Sequence, residues 1–135
     1  MKGKIFDRDE VSRMIPLISR IAGDIVATSA MLTRALMAFE MAKARAENDA
    51  TYVQRVLRCG QVAEKLVDRF RRLTEEVEEL GGTVKNYKTG TIDFYGEVDG
   101  QIVYLCWQLG EQKIRHWHCC DEDTVQRRPI PIALT

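Results

Sequence analysis

The stretch TIDFYGEVDGQIVYLCW (91–107) decides the fold, because it has the pattern of two β-strands joined by a tight turn. Apolar and polar residues alternate over residues 91–97, and residues 102–107 form a run of β-branched, aromatic and other apolar side chains. Between them, Asp99-Gly100 is typical of a two-residue type I′ turn, which needs a positive φ at both positions. The stretch therefore predicts a β-hairpin.

A second turn signal, Gly110-Glu111, predicts that the chain returns as a third strand over residues 114–118. With two-residue loops at both turns, Leu105 lies opposite Phe94 on one side and opposite His116 on the other. The sequence thus predicts a small antiparallel β-meander with a defined register.

This register gives the sheet one apolar face and one face with polar and aromatic rows. The apolar face, suited to packing on helices, consists of Ile92, Phe94, Val103, Leu105, Trp107 and Ile114, with His116 and His118 at its edge. The other face has Asp93, Cys106 and Arg115 in one row, and Tyr95, Tyr104 and Trp117 in the next. A solvated face does not need three aligned aromatic rings, so we expect the tail (129–132) or a second subunit to cover them. A binding platform for a flat or extended ligand is the alternative.

Upstream of the sheet, two heptad seams predict a long antiparallel helical hairpin. Asp7 and Glu10 form a capping-box pattern before the first seam, and Pro16 is expected to kink the helix or delay its start. Gly81-Gly82 ends the second seam. The first seam comprises Val11, Met14, Ile18, Ile21, Ile25, Thr28, Leu32, Ala35, Phe39 and Ala42, and the second Val56, Cys59, Ala63, Leu66, Phe70, Leu73, Val77 and Leu80.

The length of 135 residues suits a single domain. The expected class is α+β, with a long, coiled-coil-like antiparallel helical hairpin packed on a small antiparallel β-meander. We place the hairpin at residues 7–81, the meander at 82–120 with a candidate fourth strand at 83–86, and an extended tail at 121–135.

Composition argues against several classes of function. Lys and Arg total 20, as do Asp and Glu, so nucleic-acid binding is not expected of a chain with zero formal charge. No apolar run is expected to cross a bilayer, and the N-terminus lacks the apolar segment of a signal peptide, so we expect a cytoplasmic protein. In that reducing compartment Cys59, Cys106, Cys119 and Cys120 are expected to be free thiols.

The C-terminal part resembles the signature of a bacterial family of unknown function. The matching segments are Asp93-Phe94, IVYLCWQLGE (102–111), IRHWH (114–118), Asp121 and Arg127-Arg128-Pro129-Ile130. The family's pattern is a helical hairpin followed by "VDF…VYLCW…GE…WH..D…R.P". The chain departs from it at Asp123-Thr-Val-Gln126, where family members have Gly-Phe-x-Gly. The resemblance implies no known activity, but it favours Trp117, His118, Asp121 and Arg127 as functional residues over the adjacent cysteines Cys119 and Cys120.

The stretch IRHWHCCDED (114–123) concentrates residues able to bind metal, yet no metal site is predicted there. Zinc sites usually use two separated ligand pairs, and no second pair with suitable spacing exists elsewhere. A Cys106–His catalytic arrangement is not expected either, because the predicted register puts both histidines on the opposite face. His118, Asp121 and Arg127 could form an acid–base or anion site, or could attach the tail to the sheet.

The sequence favours a non-enzymatic binding or assembly module that self-associates, as a dimer, through its helical hairpin. The alternative is a metal-binding or small-molecule enzyme using His118, Asp121 and Arg127. No cofactor is expected, and the partner beyond a second copy is an unidentified protein or small molecule. The candidate binding residues are Asp93, Tyr95, Tyr104, Arg115, Trp117, His118, Asp121 and Arg127.

Overall fold

The computed structural model describes residues 4–119 and 128–130, and within them two long helices precede an antiparallel sheet. The helices are α1 (Arg8–Ala46) and α2 (Val53–Glu79), separated by a short 3-10 helix, Ala50–Tyr52. The strands are β1 (Gly82–Asn86), β2 (Thr91–Val98), β3 (Gln101–Gln108), β4 (His116–Cys119) and β5 (Arg128–Pro129). The predicted class, a helical hairpin followed by an antiparallel meander, is confirmed.

Helix α1 begins at a complete capping box. The Asp7 carboxylate accepts a hydrogen bond from the Glu10 backbone N–H at 2.7 Å, and the Glu10 carboxylate accepts one from the Asp7 N–H at 2.9 Å. The expectation that Pro16 delays the helix start is wrong, because α1 begins at Arg8 and continues through the proline. The cap and the burial of Val11 and Ile15 outweigh the one backbone donor that Pro16 removes.

A capping aspartate precedes α2 and a glycine with positive φ follows it. The Asp49 side chain accepts from the Thr51 N–H and caps the short 3-10 helix that leads into α2. Gly81 follows the helix with a φ of 95°, a conformation that favours glycine. A Cβ at this position would lie 2.6 Å from the Phe6 ring, so close packing also requires the glycine.

Strands β1 to β4 form an antiparallel meander, and β5 pairs with the outer edge of β4. The predicted β2–β3 register is confirmed, with Phe94 opposite Leu105 and positive φ at both residues of the Asp99-Gly100 turn. The candidate fourth strand is confirmed as β1, which has a register irregularity between Val84 and Asn86. Most of the predicted tail lies outside the described residues.

The predicted β3–β4 register is wrong by one residue. Leu105 lies opposite Trp117, and Tyr104 lies opposite His118. The connection is longer than a two-residue loop, because β4 begins only at His116 and the chain first makes a turn in which the Glu111 N–H donates to the Gln108 carbonyl. A shift of one residue moves every β4 side chain to the other face of the sheet.

The core lies between the inner face of the sheet and the lower half of the hairpin. On the sheet it consists of Ile92, Phe94, Leu105 and Trp107, joined by Ile114 from the loop before β4, and on the helices of Val11, Ile15, Ile18, Ile21, Ala22, Ile25, Leu73 and Val77. Phe6 completes the core at the edge of β2, where it forms a parallel bridge to Gly96. The far half of the hairpin, which we call the tip (residues 31–67), extends beyond this core.

The expectation that no apolar run is long enough to cross a bilayer is wrong for helix α1. It contains an 18-residue window of mean hydropathy 1.4, so by length and composition it could cross a membrane. Core helices of soluble proteins satisfy the same criterion, and here Ile18, Ile21 and Ile25 of α1 pack in the core.

Candidate functional site

The outer face of the sheet, away from the helices, holds a buried cluster of three side chains able to bind metal. Asp93 on β2, Cys106 on β3 and His118 on β4 are 1%, 0% and 1% exposed. One donor atom from each lies within 4.8 Å of the others. Asp93 and Cys106 are direct cross-strand partners. His118 is opposite Tyr104, the residue that precedes Cys106 on the same face of β3, so His118 is a diagonal neighbour of Cys106. Three neighbouring strands therefore fix the cluster, which we call the outer-face triad.

Hydrogen bonds connect the three members. His118 Nε2 lies 2.8 Å from Asp93 Oδ2, and the Cys106 thiol also donates to the Asp93 carboxylate. The other carboxylate oxygen, Asp93 Oδ1, is buried and has no hydrogen-bond partner within residues 4–119 and 128–130. A buried carboxylate oxygen without a donor costs free energy, so this atom requires an explanation.

Burial raises the pKa of the Asp93 carboxyl above its ordinary value of 3.8, since removal from water disfavours the charged form. The neighbouring His118 charge, hydrogen bonds from His118 and Cys106, and the more distant Lys85 charge act in the opposite direction. Burial is the larger influence, so the fold holds a carboxyl group in a place where its negative charge is poorly solvated.

Aromatic rings pack beside the triad on the same face. Tyr95 and Tyr104 stack with ring centroids 5.0 Å apart, and Tyr104 lies 5.0 Å from the His118 ring. The Lys85 ammonium lies 4.8 Å from the Tyr104 ring centroid on β1's side of the face. The predicted aromatic row is thus correct for the two tyrosines, but its third member is His118 in place of Trp117.

The other predicted site residues do not join this group. Trp117 is on the inner face with Leu105 and packs against the core. Arg115 is exposed and lies just before β4, so the predicted row of Asp93, Cys106 and Arg115 is wrong. His116 is opposite Cys106 instead. The predictions for Asp121 and Arg127 lie outside the described residues.

His116 also belongs to the outer face but makes a different contact. Its Nδ1 lies 3.4 Å from a Glu111 carboxylate oxygen, close enough for an ion pair but without hydrogen-bond geometry. Sequence reasoning placed both histidines on the inner face and so rejected any pairing of Cys106 with histidine. The signal that could have corrected this was Trp117, whose large apolar ring belongs in a core.

The expected cover of the aromatic row by the tail is not seen in the part of the tail that the structure describes. Ile130 packs against the core cluster, and its N–H donates to the Arg115 carbonyl at 2.8 Å. The backbone of Arg128–Pro129 therefore extends the sheet beside β4, and Ile130 packs on the core and not on the tyrosines.

A family model described as "uncharacterized conserved protein" matches residues 4–130, nearly the whole chain. The chain belongs to the DUF2203 family. The suspected resemblance to a bacterial family of unknown function is confirmed by this match, which also covers the helical hairpin. Neither a curated protein nor a solved structure matches the chain. Family membership therefore brings no activity with it.

The geometry of this DUF2203 chain limits the chemistry available to the triad. A thiol, an imidazole and a carboxylate in contact have the elements of nucleophilic catalysis. A nucleophile must reach its substrate, however, and Cys106 is completely buried beneath its neighbours. The described residues therefore favour a structural or metal-binding role for the triad over covalent catalysis.

Proposed function

We propose that the protein is a non-enzymatic assembly module whose hairpin tip pairs with the tip of a second copy. The observation that carries the proposal is the exposed apolar surface of the tip. Eight large apolar side chains there are between 39% and 61% exposed: Met31, Leu36, Met37, Met41, Val53, Leu57, Val62 and Val67.

The tip lacks a core of its own. Only Ala42 and Ala63 are buried among its apolar residues, whereas the base of the hairpin buries Val11, Ile18 and Ile25 completely against the sheet. Two isolated helices cannot enclose their apolar surfaces, because each helix exposes the sides that do not face its neighbour. A four-helix bundle formed by two hairpins encloses them.

The exposed residues of α1 repeat at helical spacing. Ala30, Arg34, Met37, Met41 and Ala44 follow one another in steps of four and three, which places them along one side of the helix. This side differs from the seam that faces α2. A helix in a four-helix bundle contacts two neighbours and therefore needs two such seams, and this second seam of α1 is available for a helix of the other copy.

A shallow apolar groove on the tip offers room for side chains of the second copy. Ala35, Ala38, Cys59 and Val62 line most of it, and its volume is about 320 Å³. Small alanines on α1 allow another helix to approach closely, and the nearby Met37 and Met41 adapt readily to a partner's surface. A stable interface buries about 800 Å² per partner, a scale that two helices of this length can supply.

Light scattering after size-exclusion chromatography at micromolar concentration tests the proposal. We expect a mass near 31 kDa, twice the 15.5 kDa of one chain. The Met37→Glu/Met41→Glu variant should be monomeric, because charges in the interface cannot be solvated. The matched control, Ile102→Glu, changes a residue 45% exposed on the sheet and should remain dimeric. A monomeric wild-type protein, or a double variant that dimerises like wild type, overturns the proposal.

A further inference from the structure

The outer-face triad combines three donor types that zinc uses in proteins, a thiolate, an imidazole and a carboxylate. We propose that Asp93, Cys106 and His118 form a buried site for a divalent transition metal of the zinc class. The proposal concerns the sheet, and it is independent of assembly through the hairpin tip.

The charge of the donor set favours a divalent ion. With Cys106 as thiolate, Asp93 as carboxylate and His118 neutral, the ligands carry two negative charges, which an ion of charge two balances. A buried site is stable when its net charge is neutralised in this way, whereas unpaired buried charges are costly. Binding releases the thiol proton of Cys106, and the His118 nitrogen that coordinates the ion must carry no proton, so bonds to the ion replace the hydrogen bond between His118 and Asp93.

Asp93 Oδ1 gives the second, independent observation. This oxygen is buried and has no hydrogen-bond donor among the described residues, although Oδ2 of the same carboxylate is bonded to His118. A simple Asp–His pair in a core normally satisfies both oxygens. A metal ion provides the partner that the unpaired oxygen lacks.

The distances in the triad are close to those of a loaded site. With metal–ligand bonds of about 2.0 to 2.3 Å, tetrahedral ligand atoms lie roughly 3.3 to 3.8 Å apart. One donor atom from each member of the triad already lies within 4.8 Å of the other two, and His118 Nε2 lies 2.8 Å from Asp93 Oδ2. Small side-chain rotations on three fixed strands therefore complete the geometry, and the fourth position is taken by water.

Cobalt(II) tests the site, because thiolate–cobalt bonds absorb in the near ultraviolet and a simple hydrogen-bonded cluster does not. The site is buried, so the protein is unfolded with chelator and refolded with cobalt or zinc. Elemental analysis after dialysis should find one ion per chain, with a thiolate–cobalt absorption band. In Cys106→Ser the band should disappear, and in His118→Gln or Asp93→Asn the affinity should fall at least tenfold.

A variant that keeps Cys106 as its only thiol tests the site without changing the triad, so the test does not depend on triad variants that fold poorly. The chain has four cysteines, so Cys59→Ser/Cys119→Ser/Cys120→Ser keeps Cys106 as its only thiol. This triple variant should retain the band, and His116→Gln, the matched histidine control, should bind like wild type. Absence of bound metal in the wild-type protein overturns the proposal. Loss of the band in the triple variant overturns it as well, because the thiolate ligand would then be another cysteine.

Discussion

Gly96 on β2 allows a direct test of the close packing on the inner face of the sheet. It is buried, and a Cβ at this position would lie 2.4 Å from Leu105 Cγ and 2.6 Å from its Cδ1. Ordinary contacts begin at about 3.4 Å, so in Gly96→Ala the Leu105 side chain must move by about 1 Å. Leu105 is only 3% exposed and packs in the core cluster. It also borders a groove of about 400 Å³ beside Phe6 and Val98, so a movement in that direction relieves part of the overlap but gives up core contacts.

The expected cost of Gly96→Ala follows from this overlap. Overpacking a closed core costs about 1 to 3 kcal/mol. The smaller conformational freedom of alanine in the unfolded chain offsets about 0.4 to 1 kcal/mol of that. We therefore expect the free energy of unfolding to fall by roughly 1 to 2 kcal/mol, which lowers the urea midpoint by about 0.5 to 1 M for a typical slope near 2 kcal/mol/M.

Gly23 provides the matched control for this substitution. It lies within α1, and a Cβ there would meet nothing within 4 Å. Gly23→Ala should therefore raise the free energy of unfolding by about 0.5 to 1 kcal/mol, the helix preference of alanine over glycine. Urea unfolding followed by circular dichroism, at one fixed protein concentration, measures both variants. If Gly96→Ala is as stable as wild type with an unchanged slope, the reasoning about Leu105 is refuted.

Three further predictions use the same unfolding assay or simple thiol chemistry. Asp7→Ala removes the capping box and should cost about 1 kcal/mol; no loss would mean that the cap does not stabilise α1. His118→Ala leaves a buried carboxylate without its partner and should cost about 3 kcal/mol, well above the cost of His116→Ala, and equal costs would contradict the buried pairing. An alkylating reagent should modify the buried Cys106 far more slowly in the folded protein than after unfolding in urea, as peptide mass spectrometry will show; equal labelling rates would refute its burial.

The sequence predicted the parts of the fold that local chemistry determines. The Asp99-Gly100 turn has two residues, so it set the β2–β3 register and correctly placed Asp93, Tyr95 and Tyr104 on one face. The capping box marked the N-terminus of α1 and the heptad spacing marked its buried side, because both depend on residues close together in the chain.

The β3–β4 register could not be predicted, because the connection between these strands is not a tight turn. Ile114 is completely buried although it lies outside any strand, and the Trp107 indole N–H donates to the Glu111 carbonyl. These tertiary contacts hold an irregular loop that has no sequence signature of its own. The error of one residue hid the outer-face triad, since it turned His118 away from Cys106.

The two edge strands of the sheet, β1 and β5, determine whether another chain can add a strand to it. Within the described residues β5 spans two positions, and Pro129 in it has no N–H to offer an incoming strand. At the opposite edge, β1 is short and irregular between Val84 and Asn86, and exposed Lys85 and Lys88 lie along this part of the chain. Short edges with proline, irregular pairing and lysine resist the addition of strands, so growth into β-aggregates is disfavoured. These edges therefore work against open-ended growth through the sheet, which leaves the hairpin tip as the surface proposed for pairing.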